Sequence, residues 1–358
     1  MQLATLIEDY REPFLKKYAS HLLPSHLRAL DAITACRKRC GYFSSQCLSC
    51  SKTQTYALSC GHRHCPQCQN SEATTWLERQ KQKLLPVEYF MVTITLPEQL
   101  RSLAFHHQHR FYTLLFDAAK TTLKTLGLDE RHMGGDMGMT MVLHTHTRRL
   151  DYHPHLHIIV PCGALIDNGR SFKRKESQYF IHGDVIAKMF RGKLLYALHE
   201  ECFDLPSNIP SKWVVNVKDI GKGLPALQYL SRYLYRGVIS EKAIIKNDGK
   251  NITFRYKDSQ TKTTQERTLK GEDFIWTLLM HVLPRRFRRV RDYGFLHHNA
   301  KRKLTLIQYL LHVRLPDIII KKKHPIRCRL CAGECRITEI HPKSIPINFR
   351  FMRRPKIE

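Results

Sequence analysis

Nowhere in its 358 residues does the sequence approach a run of 18 uncharged apolar residues, so it offers no membrane-spanning helix. The opening stretch MQLATLIEDYREPF places Glu8 and Asp9 where a secretory signal needs its apolar segment, so an intracellular location is the default expectation. Walker-type phosphate loops, dinucleotide-binding glycine patterns and serine nucleophile elbows are all missing, which argues against a nucleotide-driven motor. There is no internal repeat, no low-complexity block and no long acidic tract to suggest disorder. Acidic side chains are scarce: 31 Asp and Glu stand against 59 Lys and Arg, for a formal charge of +28. A surface so biased calls for a polyanionic partner, nucleic acid first among them.

What is abundant is cysteine, and its placement is uneven. Seven of the 12 fall between Cys36 and Cys68, three between Cys328 and Cys335, and only Cys162 and Cys202 stand apart. In an intracellular chain such clusters favour metal over disulfides. Two knuckles, Cys47-x-x-Cys50 and Cys65-x-x-Cys68, are expected to place four thiolates around one structural Zn2+. The remaining Cys36, Cys40 and Cys60, with His62 and His64 beside them, offer a second zinc site of three cysteines and one histidine, and the spacing leaves Cys60 open to either. Near the C-terminus Cys328, Cys331 and Cys335, flanked by His324 and His341, suggest a further, separate zinc cluster. The basic residues of the first module (Arg37, Lys38, Arg39, Lys52, Arg63) are candidates for phosphate contacts.

Periodicity predicts helices over 5–33 (interrupted near Pro24), 71–85, 105–126, 184–200, from 225, and 273–283, with strands at 87–96, 138–146, 153–160 and 212–220. Short strands with turns are expected over 241–270. The mixture lacks regular βαβ spacing, so the expected fold is α+β, an antiparallel sheet with helices on one side. Three regions follow: an N-terminal helical and zinc-binding domain over 1–85, an α+β domain over 86–300, and a basic C-terminal segment with its own cysteine cluster over 301–358.

The stretch HPHLHIIVPCG, 153–163, carries the chemistry. Side chains two apart on a strand share a face, so His153, His155 and His157 stand together while Leu156 and Ile158 face the core. Imidazoles so aligned can hold one divalent metal. His155 and His157 are the minimum set. His153 is a third ligand or a supporting group, and His144, His146 and Asp151 are further candidates if the register brings them near. In LQYLSRYLYRG, Tyr229 and Tyr233 lie one helical turn apart, with Arg232 and Arg236 on a neighbouring face. A phenol can attack phosphorus when a metal polarises the phosphate and arginines neutralise its charge.

These residues resemble the two-tyrosine rolling-circle insertion-sequence transposases of the HUH endonuclease superfamily. The His-apolar-His motif matches His155-Leu156-His157, the paired tyrosines match Tyr229 and Tyr233, and the zinc-binding domain matches Cys47, Cys50, Cys65 and Cys68. LPRRFRRVRDYG, with Arg285, Arg286, Arg288, Arg289 and Arg291, is similar to the family's basic segment. The resemblance implies an HUH-like antiparallel sheet carrying the histidines, with the tyrosines on a facing helix. It implies catalytic Mg2+ or Mn2+, and single-stranded DNA at element ends as substrate, with target DNA and host replication machinery as partners. A 5′-phosphotyrosine and a free 3′-hydroxyl would result. It further implies a cytoplasmic, nucleoid-associated bacterial protein. A replication initiator or relaxase of the same chemistry, or a non-enzymatic zinc-dependent DNA-binding protein, are the alternatives.

Overall fold

The computed structural model describes residues 2–68, 70–175, 180–225, 227–228, 238–258, 261–314 and 325–342. The chain opens with three helices, Leu3–Asp9, Arg11–Tyr18 and Pro24–Ala35. Pro24 stands at the start of the third, where its missing N–H costs nothing, so it begins a helix rather than breaking one. A hairpin follows, β1 (Gly41–Cys47) and β2 (Thr53–Ala57), then the second cysteine knuckle and the helix Asn70–Lys81. Next come β3 (Glu88–Thr95), β4 (Asp136–Met137), β5 (Met139–His146), β6 (Tyr152–Pro161), β7 (Gly163–Ile166), β8 (Ser171–Arg174) and β9 (Val215–Lys222). Two long helices, Gln108–Leu128 and Gly183–Glu200, are interleaved with them. A meander of β10 (Ile244–Asn247), β11 (Asn251–Lys257) and β12 (Thr264–Lys270) leads into the helix Gly271–Leu279. β13 (Val290–Tyr293), the helix Lys301–Leu310, β14 (Ile326–Arg327) and β15 (Glu334–Pro342) complete the described chain.

The fold is α+β. Its centre is a five-stranded sheet in the order β13-β5-β6-β3-β9, antiparallel at every step. Alternation explains its two faces. Phe90, Val92 and Ile94 of β3 and Leu156, Ile158 and Val160 of β6 are buried on one side, packed with Phe116, Leu123 and Phe190 of the two long helices. Side chains as large as Phe116 and Phe190, fully removed from water, contribute about 1.5–3 kcal/mol each. The opposite face is divided. Near one end Tyr89, Val142 and Ile159 pack on Trp76, Phe295 and Ile307. Near the other end the same face carries Thr93, His144, His155 and His157.

The N-terminal helices do not serve the cysteine module alone. Leu6, Ile7 and Phe14 join Ile252, Phe254 and Phe274 in a second core that ties the first residues of the chain to the meander. The C-terminal hairpin also returns. β15 pairs with β1, Cys47 opposite Cys335, to give a four-stranded ribbon β14-β15-β1-β2. The C-terminal cysteines, expected to form a cluster of their own, are thus half of the N-terminal ribbon. Among the described residues no helix is long and apolar enough to cross a membrane.

Candidate functional site

Register decides which histidines meet. His144 of β5 sits directly opposite His155 of β6, and Val142 opposite His157, so three imidazoles converge across two strands. One ring nitrogen from each of His144, His155 and His157 lies within 4.8 Å of the other two. The His144 ring is 4.6 Å from that of His157 and 5.4 Å from that of His155. Of the candidates for the third position, the geometry gathers His144 with His155 and His157. His153 shares the face, but it is not in the cluster; what it supplies is its backbone carbonyl, which accepts a 2.7 Å hydrogen bond from His155 Nδ1. A carbonyl can only accept, so His155 Nδ1 carries the proton and Nε2 keeps its lone pair for a metal. His157 Nδ1 is likewise 3.1 Å from the Thr93 hydroxyl. Asp151 is engaged elsewhere, accepting from Arg267 at 2.8 Å. His146 points its ring toward His281, 5.2 Å away, which itself donates to the Leu150 carbonyl.

Burial holds these imidazoles neutral, pushing His155 and His281 down to about 4 and His157 to about 3. A folded-state value below the ordinary 6.5 means the unfolded chain binds the proton more tightly. Stability of the protein with zinc in its cysteine sites but no Mg2+ or Mn2+ is therefore full above pH 6.5 and falls steadily from there toward pH 3–4. Thermal melts of that form from pH 8 to 4 should show a flat midpoint down to about 6.5 and a steep decline below it; a midpoint unchanged to pH 4.5 would contradict this burial.

Cysteine grouping departs from the expected pairing. Cys65 and Cys68 gather with Cys36 and Cys60, whereas Cys47 and Cys50 gather with Cys328 and Cys331. Sulfurs stand 3.4 Å apart in Cys36–Cys68, 3.5 Å in Cys60–Cys68 and Cys47–Cys331, and 3.7 Å in Cys50–Cys328. A tetrahedral zinc with Zn–S bonds of about 2.3 Å requires sulfurs about 3.8 Å apart, so both sets fit a structural Zn2+ site. The knuckle turns also aim backbone N–H groups at sulfur. Cys50 and Ser49 donate to Cys47 Sγ, which holds that thiol down at about 6, in the thiolate range a ligand needs. Cys40 is outside both sets, its thiol donating to the Ala35 carbonyl. His64 is outside as well, its Nε2 accepting from the Leu283 N–H.

The knuckle between Cys60 and Cys65 does a second thing. Arg63, expected to face phosphate, instead turns inward and donates to the carbonyls of Leu283, Pro284 and Phe287 at 2.5–2.9 Å. It thereby shapes the start of the arginine-rich segment. Of that segment's arginines, Arg285, Arg286 and Arg288 are exposed, and Arg289 is half-buried. Arg291 stacks over the rings of Phe116 and Phe287, at 4.3 and 5.2 Å. Neutralising Arg285, Arg286 and Arg288 together is expected to lower the salt slope of single-strand binding by about 2, at ~0.7 per phosphate contact. Arg291→Gln should leave the slope alone and lower the melting temperature. Binding isotherms between 50 and 300 mM salt, with a melt of each variant, check both.

Tyr229, Tyr233, Arg232 and Arg236 lie outside the described residues. The approach to them is described. Residues 224, 225, 227 and 228 are helical, and Leu227 N–H bonds to the Gly223 carbonyl. A Cβ at Gly223 would meet the Tyr89 ring at 2.8 Å, so only glycine lets the chain turn so close to β3. Leu227 then packs in one cluster with Val142 and Ile159, next to the histidines on the same face of the sheet.

Known proteins with similar sequences agree with this architecture. Residues 138–303 match a family described as "Putative transposase", and residues 6–96 match one described as "Transposase zinc-binding domain". The chain is 32% identical over 341 residues to "Putative transposase y4qJ" of Sinorhizobium fredii, covering 88% of this chain and 85% of that protein. It is 25% identical over 265 residues to the "Transposase for insertion sequence element IS801" of Pseudomonas savastanoi pv. phaseolicola, covering 69% of this chain and 64% of that one. With its helix-flanked antiparallel sheet and its cysteine clusters, the chain belongs to the IS91-like family of HUH transposases that carry an N-terminal zinc-binding domain.

Proposed function

We propose that this protein nicks and rejoins single DNA strands at the ends of a transposable element, with Tyr229 and Tyr233 as nucleophiles. A divalent cation, Mg2+ or Mn2+, is held by His155 and His157 with His144 as the third ligand, and imidazole donors favour Mn2+ of the two. When bound, the cation polarises the scissile phosphate. The phenolic oxygen attacks phosphorus, its proton passes to the departing 3′-oxygen, and the products are a 5′-phosphotyrosine and a 3′-hydroxyl. One ester replaces another, so a 3′-hydroxyl can later reverse the step at a new place without ATP. Two tyrosines allow one to hold an end while the other attacks. Arg232, Arg236, Arg285, Arg286 and Arg288 are assigned to backbone phosphates, and the target strand and host replication enzymes are the remaining partners.

One observation carries the reading: three convergent imidazoles lie on the sheet face against which Leu227 packs, and Leu227 is two residues before Tyr229 in the sequence. A labelled single-stranded oligonucleotide carrying the element end tests it. The intact protein should yield an adduct that survives a denaturing gel. Tyr229→Phe and Tyr233→Phe singly should each leave some, and the double variant about a thousandfold less or none. An undiminished adduct in the double variant would place the nucleophile elsewhere. No adduct from the intact protein with Mn2+ present would leave a zinc-dependent DNA-binding protein without this chemistry.

A further inference from the structure

The ribbon β14-β15-β1-β2 has two unlike faces. Residues directly opposite in register share a face, so Phe43, Tyr56 and Ile340 stand together, and Ile337 joins them through Ser45. The other face takes Ser44, Arg336 and Glu339, and by alternation from Cys335 it also takes Glu334. Both carboxylates of the ribbon strands therefore lie on one side, together with the stacked Tyr42–His341 pair, and the Phe43–Tyr56 side has none.

On that side the Phe43 and Tyr56 rings stack at 5.1 Å and 13°, and the Arg329 guanidinium lies 4.7 Å over the Tyr56 ring. Ile337 and Ile340 beside them are 47% and 60% exposed. Neither ring is among the buried residues, and the buried apolar set inside the ribbon is Cys47, Cys328 and Cys335. They are also held in place. The Tyr56 hydroxyl donates to Gln54 Oε1 at 2.8 Å, and the same oxygen accepts from the Arg329 backbone N–H at 3.2 Å. Gln54 Nε2 in turn donates to Cys328 Sγ at 3.0 Å, so the zinc cluster anchors the ring pair.

From this arrangement we infer that the Phe43–Tyr56 face is a stacking platform for unpaired bases of single-stranded DNA, with Arg329 serving both ring and phosphate. Duplex bases are already stacked on one another and present no free ring face; unpaired bases do, and a cationic guanidinium beside an aromatic pair suits a strand that offers both rings and charge. The absence of carboxylates on this face removes the repulsion that a polyanion would meet on the other. The inference rests on the proposed action on single strands and adds a contact surface apart from the histidine site.

Binding measured without Mg2+ or Mn2+, so that no strand is cut, tests it. The probes are a fluorescent single-stranded oligonucleotide, the same length with abasic sites, and the matching duplex. Phe43→Leu/Tyr56→Leu keeps apolar bulk and removes both rings. Expected is a ~10–100-fold loss for the normal single strand, little change for the abasic strand and the duplex, and unchanged zinc content. Equal losses on normal and abasic strands, or wild-type affinity in the double variant, would overturn the platform. A double variant that has lost zinc is replaced by Arg329→Gln, whose guanidinium lies over the Tyr56 ring and is not one of the four ligands, with a several-fold loss expected and wild-type affinity overturning the platform. Failure of the intact chain to bind any single strand would sink the proposed function along with it; intact cleavage with unaffected binding in the ring variant sinks the platform alone.

Discussion

His157→Ala is expected to lose strand cleavage by about a thousandfold while keeping its fold and its affinity for single-stranded oligonucleotide. A cation that polarises a phosphate supplies several kcal/mol to the transition state, and each 1.36 kcal/mol is tenfold in rate. Two imidazoles alone bind the cation weakly, so raising Mn2+ should restore part of the rate to this variant and none to a double His155→Ala/His157→Ala chain. His153 gives the internal control. Its ring is outside the cluster, and the backbone carbonyl that orients His155 survives substitution, so His153→Ala should cost less than tenfold. His144→Ala should resemble His157→Ala. If instead His153→Ala is the damaging change and His144→Ala is silent, His144 does not stand opposite His155 in the working protein. Cleavage rates at limiting and saturating Mn2+, with zinc content and circular dichroism for each variant, settle the order.

Cys328→Ser/Cys331→Ser should halve the zinc, from two ions per chain to one, and dissolve the ribbon. Binding to a structural zinc site is worth about 10–16 kcal/mol in small domains that cannot fold without it, and this ribbon has no apolar core to substitute. The central sheet, with its own aromatic core, should survive. Cys60→Ser/Cys65→Ser should also remove one zinc, but with wider damage. Cys36 and Cys65 belong to the core that holds the N-terminal helices, and Arg63 between Cys60 and Cys65 braces the arginine-rich segment. Zinc quantified by atomic spectroscopy, with hydrogen exchange of the two regions, separates the variants. A single site made of Cys47, Cys50, Cys65 and Cys68 would predict no zinc loss from the Cys328/Cys331 variant at all.

Sequence alone carried four of the sheet's five strands, but neither their order nor the edge strand β13, which lies inside the arginine-rich segment. Alternation of histidine with Leu156 and Ile158 fixed which side of β6 faces the core, and the helices over 105–126 and 184–200 were readable from their periodicity. What it could not carry were pairings between distant segments. β5 is buried on both faces, so alternation says little about His144, and only the register puts it opposite His155 rather than two residues away. Likewise every cysteine knuckle was visible as a local spacing, but spacing says nothing about which two knuckles meet. Cys47-x-x-Cys50 had two possible mates, and the nearer one in the chain was the natural choice; β-pairing across the whole length of the protein selects the farther one. Arg63 misled for a related reason. A basic residue in a cysteine loop looks free to meet phosphate until the carbonyls of 283–287 are found beneath it.

The union of Cys47 and Cys50 with Cys328 and Cys331 also sets a clock. The two halves are 284 positions apart. At translation rates of about 5–20 residues per second, roughly 15–60 s pass between synthesis of the first half-site and of the second. During that interval the nascent ribbon has two of its four thiolates and only half its strands. A polypeptide released early, by a nonsense codon or a stalled ribosome, could fold its histidine sheet but never close this ring. Completion of β14 and β15 is thereby written into the molecule as a condition for assembling the ribbon that β1 and β2 begin.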